Sequence, residues 1–164
     1  MRAGRILLFI LFSLTLGACG ESASTRAPTL FDGDWIAFSH PGNWDLAQQE
    51  QGEQRVIRLA APSAVHFSIT VRPSAGGADL AGFARGFARD AAAPQLTPVD
   101  RPARLGRLHG YRETLQLQGR TLVREYHSLS RNDETAYLVS EAPAADLARV
   151  QGGFDRIFTT FTFK

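Results

Sequence analysis

Four histidines, one cysteine and a scatter of carboxylates are the side chains from which any chemistry in this sequence would have to be built. His40, His66, His109 and His127 show no pair at the spacing of zinc ligands, although His66 and His127 can share the polar face of one sheet. Asp32-Gly33-Asp34 begins like a calcium loop, but the further oxygen ligands at fixed offsets are missing. Ser63 and Ser68 lack the Gly-x-Ser-x-Gly elbow of a nucleophilic serine, and no glycine-rich phosphate loop follows a strand. Glu113 and Glu125 fall on neighbouring strands, as a glycosidase pair could. Arg112, Arg120 and Arg124 beside them favour cross-strand ion pairs instead. The expectation is a chain with no catalytic residue, no cofactor and no metal.

The cysteine is different. Cys19 follows Leu16-Gly17-Ala18 and closes a leader in which Arg2 and Arg5 precede an apolar run from Ile6 to Leu16. That run is shorter than the roughly 20 apolar residues of a membrane-spanning helix. Small residues at 17 and 18 suit a signal peptidase. Leu-Gly-Ala-Cys resembles the bacterial lipobox. The resemblance implies cleavage before Cys19 and lipidation of its thiol, and two or more acyl chains hold a protein firmly at about 0.8 kcal/mol per buried CH₂. Gly20, where an aspartate would favour inner-membrane retention, implies the outer membrane, facing the periplasm. The expected divisions are 1–18 signal peptide, 19–29 lipidated cysteine and flexible tether, and 30–164 a single domain. With Cys19 lipidated, no thiol is left for a disulfide, a metal site or a nucleophile. A tether of about ten residues spans on the order of 20 Å, which keeps the domain near the bilayer.

Cleavage removes Arg2 and Arg5 and leaves basic and acidic residues equal at 16 each. A neutral domain is a poor binder of nucleic acid, whose affinity rests on net positive charge.

Periodicity supplies the elements. Strands are expected at 35–39, from Trp44, at 55–60, and at 65–72, where Val65, Phe67, Ile69 and Val71 alternate with polar residues. Leu80, Phe83, Ala84 and Phe87 give a helix over 79–90, with Gly82 and Gly86 expected to let it lie close on the sheet. Three prolines mark 91–102 as a loop or edge segment. Strands follow at 109–117, 121–130 and 135–140. A second helix starts with Pro143 in its first turn and carries Leu147, Val150, Phe154 and Ile157, with a kink or fray at Gly152-Gly153. Residues 158–163 are expected to close the chain as a strand.

The order of three motifs resembles the PsbP/DcrB-like domains. Phe38-Ser39-His40-Pro41-Gly42-Asn43-Trp44 is similar to their opening turn, and Phe67-Ser68-Ile69-Thr70-Val71 to their central strand. Phe154-Asp155-Arg156-Ile157-Phe158-Thr159-Thr160-Phe161-Thr162-Phe163 is similar to their closing segment, with Thr160 where serine is usual. The resemblance implies an α+β fold, a single domain with an antiparallel β-sheet flanked by α-helices. It implies a non-enzymatic accessory or assembly factor that binds another envelope protein; the alternative is a carrier of a small-molecule, lipid or cell-wall ligand. Candidate contacts are Tyr111, Tyr126 and Tyr137, on an exposed patch, and Arg124, aimed into a pocket between helix and sheet.

Overall fold

The structure is a computed structural model that describes residues 27–74, 79–87 and 95–164. Cys19, the leader and most of the tether lie outside the described residues. Strands β1 (Pro28–Asp32), β2 (Ile36–Pro41) and β10 (Thr162–Phe163) form a small antiparallel sheet in the order β1-β2-β10. The large sheet has seven strands in the order β3-β4-β5-β9-β8-β7-β6. These are β3 (Asp45–Gln51), β4 (Gln54–Ala61), β5 (Val65–Pro73), β6 (Thr97–Ala103), β7 (Gly106–Leu117), β8 (Arg120–Arg131) and β9 (Glu134–Pro143). Helix α1 (Leu80–Phe87) covers one face of this sheet, and α2 (Leu147–Thr160) covers the other. This is the expected α+β single domain, and its regular strands begin at Pro28, inside the expected tether.

The main core lies between the large sheet, α2 and β2. The expected alternation in β5 holds: Val65, Phe67, Ile69 and Val71 are all buried toward α2. Phe67 meets Phe154 and Phe158 of α2 at ring distances of 5.9 and 5.3 Å. Trp44 fills the gap between β2 and α2, edge-on to Phe154 at 5.6 Å. The hairpin turns fall where glycine and asparagine place them. Gln118 and Gly119, both at positive φ, make the two-residue β7–β8 turn, the geometry that matches strand twist.

Of the two expectations for 91–102, loop or edge segment, the edge holds from Thr97 on: β6 is the outermost strand, and Pro98 and Pro102 are tolerated because one of its edges has no ladder to complete. Helix α2 runs unbroken through Gly152-Gly153, because Gly153 is where the helix backbone meets Trp44: a Cβ there would lie 2.7 Å from the indole Cζ2. Pro143 ends β9 rather than starting the helix, and its carbonyl accepts from the Asp146 N–H in the connecting turn. The helix extends to Thr160, leaving only Thr162 and Phe163 as strand. Thr160 explains the preference for a hydroxyl at this motif position. Its Oγ1 donates to the Arg156 carbonyl at 2.6 Å and accepts from the Ser39 N–H at 2.9 Å, tying the helix end to β2.

The α1 glycines also act differently from expectation. A Cβ on Gly86 would meet nothing within 4 Å, so its role is not close approach to the sheet. Gly82 instead leaves room for the Asp79 carboxylate, which accepts from the Gly82 N–H at 2.7 Å and satisfies one free amide of the first turn.

Candidate functional site

Strand β8 feeds two polar clusters, one on each face of the sheet, because successive side chains alternate. Arg124 and Tyr126 point toward α1. Glu125 and His127 point toward α2.

On the α1 side, register places Arg124 opposite both Glu113 of β7 and Glu141 of β9. Arg124 Nη1 donates to Glu113 Oε1 at 2.7 Å, and its Nε donates to Glu141 Oε2 at 2.6 Å. The Tyr126 hydroxyl donates to Glu113 at 2.7 Å. Burial first, and this hydrogen bond second, push the Tyr126 phenol up, so it stays protonated. Two phenylalanines of α1 close the cluster. Phe83 stacks on Tyr137 at 4.1 Å, and Phe87 stands edge-on to Tyr126 at 5.9 Å with the Arg124 guanidinium 5.2 Å over its ring. The Arg72 guanidinium lies 4.6 Å over the Tyr137 ring and donates to its hydroxyl.

Tyr126 and Tyr137 are therefore not on an exposed patch; they are 0% and 2% exposed, with α1 as their cover. Tyr111 is half-buried opposite Tyr126. Arg124 does line a cavity of about 640 Å³ together with His66, Phe83, Phe87, Val139 and Glu141. Its guanidinium is nonetheless already engaged by two carboxylates.

On the α2 side, Glu125 is 2% exposed and accepts from two guanidinium groups. Arg101 donates through Nε at 2.6 Å and Nη2 at 2.7 Å, and Arg112 donates through Nη2 at 2.6 Å. Arg101 also donates to Gln151 of α2 at 3.1 Å and lies 3.9 Å from Asp155. Burial disfavours the Glu125 charge. The His127 ring, with Nε2 at 3.6 Å, and the two arginines outweigh burial and hold the carboxyl well below the usual carboxylate range. His127 itself is fully buried, neither ring nitrogen has a hydrogen-bond partner among the described residues, and Phe158 meets the ring edge-on at 4.9 Å. Gly110 makes this possible, since a Cβ there would collide with the His127 ring and the Tyr126 carbonyl.

The expected cross-strand pairs are present, Glu113 with Arg124 and Glu125 with Arg112. The two glutamates lie on opposite faces of the sheet, so they form no catalytic pair. Arg120 sits at the exposed end of β8 opposite Leu117 and joins neither cluster. The histidines disperse as well: His66 is exposed on the α1 side, away from the buried His127. His40 packs beside Phe38, and His109 meets Asp100 at 2.6 Å near the sheet edge. Asp32 pairs with Lys164 at 2.5 Å. Among the described residues, no three His, Cys, Asp or Glu side chains are grouped to hold a metal ion.

Arg101 is the site residue the sequence did not reveal. Its flanking prolines concealed a strand, and only β6 pairing carries it over Glu125.

No family model matches the sequence, and no curated protein matches it. Solved structures do. Cyanobacterial PsbP (CyanoP) from Synechocystis sp. PCC 6803 superposes with a TM-score of 0.59 at 9% identity, covering 91% of this chain and 99% of that one. The fold is PsbP-like. A Bacteroides thetaiotaomicron protein gives a TM-score of 0.54 at 10% identity, covering 85% of this chain; the match takes in 48% of that chain, about half its length. LpqN of Mycobacterium tuberculosis, described as involved in cell envelope biogenesis, covers 84% of this chain at 10% identity, but a TM-score of 0.47 is too loose to support an inference. At such identities the likeness is one of backbone, and function has to be argued from the side chains.

Among the described residues, no helix is long and apolar enough to cross a membrane. The two clusters keep their charged groups committed to one another. Each cluster glues strands, and in the second case a helix, with buried charge-assisted hydrogen bonds.

Proposed function

We propose that this chain is a lipid-anchored envelope protein whose domain acts without catalysis, as an accessory or assembly factor for another envelope protein. The supporting observation is the state of the two clusters. Glu113, Glu125 and Glu141 are each held by arginine, and Tyr126 is kept protonated, so neither cluster offers a free base beside a nucleophile. The anchor is Cys19, at the end of the leader, with the outer membrane facing the periplasm as its place. The tether then confines the search for a partner to the membrane surface, where effective concentration is high.

The test is crosslinking and pull-down of the full-length protein from native envelopes, beside a Cys19→Ser control. Labelled palmitate should enter the wild-type chain and not the control. One dominant crosslinked envelope protein, lost in the control, is the expected result. A folded, lipidated protein with no specific partner would sink the assembly role. Turnover of an envelope substrate by the purified protein would sink the non-catalytic one.

A further inference from the structure

A second cavity, of about 490 Å³, opens on the α2 side, next to the Glu125 cluster, from which Phe158, edge-on to His127, separates it. Its walls are Leu108, Leu129, Leu138, Phe158, Phe161 and Phe163, from β7, β8, β9, α2 and β10. Its mouth is cationic: Arg104 and Arg107 from the β6–β7 hairpin and Arg131 at the end of β8. Arg107 reaches Asp100 at 3.5 Å, but Arg104 and Arg131 have no ion pair among the described residues. Asp133, in the same turn as Arg131, is not bonded to it. This contrasts with Arg101, Arg112 and Arg124, all of which are spent on carboxylates. Between Arg104 and Arg107 stands Leu105, 93% exposed at the tip of a two-residue turn, where it buries nothing of the fold.

From this geometry we infer that the cavity binds a single-chain anionic amphiphile. The apolar walls take the hydrocarbon chain, Arg104 and Arg131 take the acidic headgroup, and Leu105 extends the apolar path at the mouth. The volume falls within the range of roughly 300–1,000 Å³ typical of ligand pockets. Guanidinium forks bind carboxylate and phosphate alike, so the headgroup is defined by its charge rather than by one acid. The inference goes beyond the assembly role and stands whether or not the domain docks a protein.

The test uses the full chain, stripped of bound lipid and held in nanodiscs of zwitterionic lipid, with empty discs as the blank. Palmitate, a palmitoyl lysophosphatidate, hexadecanol and inorganic phosphate are titrated separately by equilibrium dialysis. Saturable, one-to-one binding of palmitate or the lysophosphatidate is expected, with hexadecanol weaker by about tenfold or more. Arg104→Ala with Arg131→Ala should remove that preference while leaving hexadecanol binding unchanged. Both arginines are exposed, so the double variant should fold normally. Leu129→Trp, which fills the cavity, should abolish all chain binding. Equal binding of hexadecanol and palmitate by the wild type would overturn the assignment. So would phosphate binding as tightly as the lysophosphatidate, or a double variant that behaves like wild type. These readouts are independent of crosslinking, so either proposal can fail alone.

Discussion

Glu125→Ala will destabilise the domain by about 3–5 kcal/mol, the usual consequence of removing one member of a buried ion network. The reason is geometric. Among the described residues, Glu125 is the only acceptor shared by Arg101 and Arg112, and His127 lies against it with no other polar partner. Without the carboxylate, Arg101, whose side chain is 15% exposed, keeps only Gln151 and a distant Asp155, while Arg112, more open to solvent, loses its carboxylate partner. Urea unfolding at neutral pH measures the loss. Glu125→Gln keeps the shape and removes the charge, so it should fall between the alanine variant and the wild type. A loss below about 1 kcal/mol, the value of an exposed surface pair, would show that the network is not holding the fold.

The same residue sets a pH dependence. The Glu125 pKa in the folded protein lies below its unfolded value, so the unfolded chain binds the proton more readily. Its contribution is fully present above the unfolded pKa, about 4.3 for a glutamate, and fades as pH falls from there toward the lower folded value. Wild-type stability should therefore decline on acidification through that window. Glu125→Gln should show a shallower decline. Parallel acid limbs for the two proteins would contradict the assignment.

How much of this was readable in advance depended on the kind of physics each residue reports. Strand β5 was legible because its alternation is local: one face is buried, and the other, with His66, Ser68, Thr70 and Arg72, is more open. Cross-strand pairing of Glu113 with Arg124 was legible because adjacent strands joined by a tight turn fix their own register. The same register puts Glu113 and Glu125 on opposite faces, but whether Tyr126 is open to solvent depends on α1 crossing over it, which no local pattern reports. Arg101 was hidden for a related reason. Proline argues against a strand, except on an edge, and being an edge is a property of the whole sheet. The arginine-rimmed cavity joins residues from four strands and a helix, so no single stretch of sequence announces it. Arg124, the arginine expected to face a ligand, is instead neutralised by carboxylates, whereas Arg104 and Arg131, unpaired among the described residues, stand in or beside turns.

Trp44→Ala should cost about 3–5 kcal/mol, the range for deleting a large buried aromatic. The indole is 4% exposed and wedges between Pro41, Gly153 and Phe154, where the opening turn meets the closing helix. Size alone does not explain the site, and Gly153 shows why. In a free helix, glycine to alanine gains about 1 kcal/mol. Here the added Cβ would press on the indole at 2.7 Å and on Pro41 Cγ at 3.0 Å. Overpacking of this kind costs about 1–3 kcal/mol, so Gly153→Ala should be net destabilising. Gly152, one residue earlier and open to solvent, is the control: nothing lies within 4 Å of its Cβ position, and Gly152→Ala should stabilise. Trp44→Leu, which shortens the side chain, should turn Gly153→Ala from harmful to neutral or helpful. That double-mutant cycle separates a steric match from simple hydrophobic burial. If Gly153→Ala stabilises the wild type as much as Gly152→Ala does, the close approach of helix to tryptophan is wrong. The physical account of the two end motifs as one interlocking joint would then fall with it.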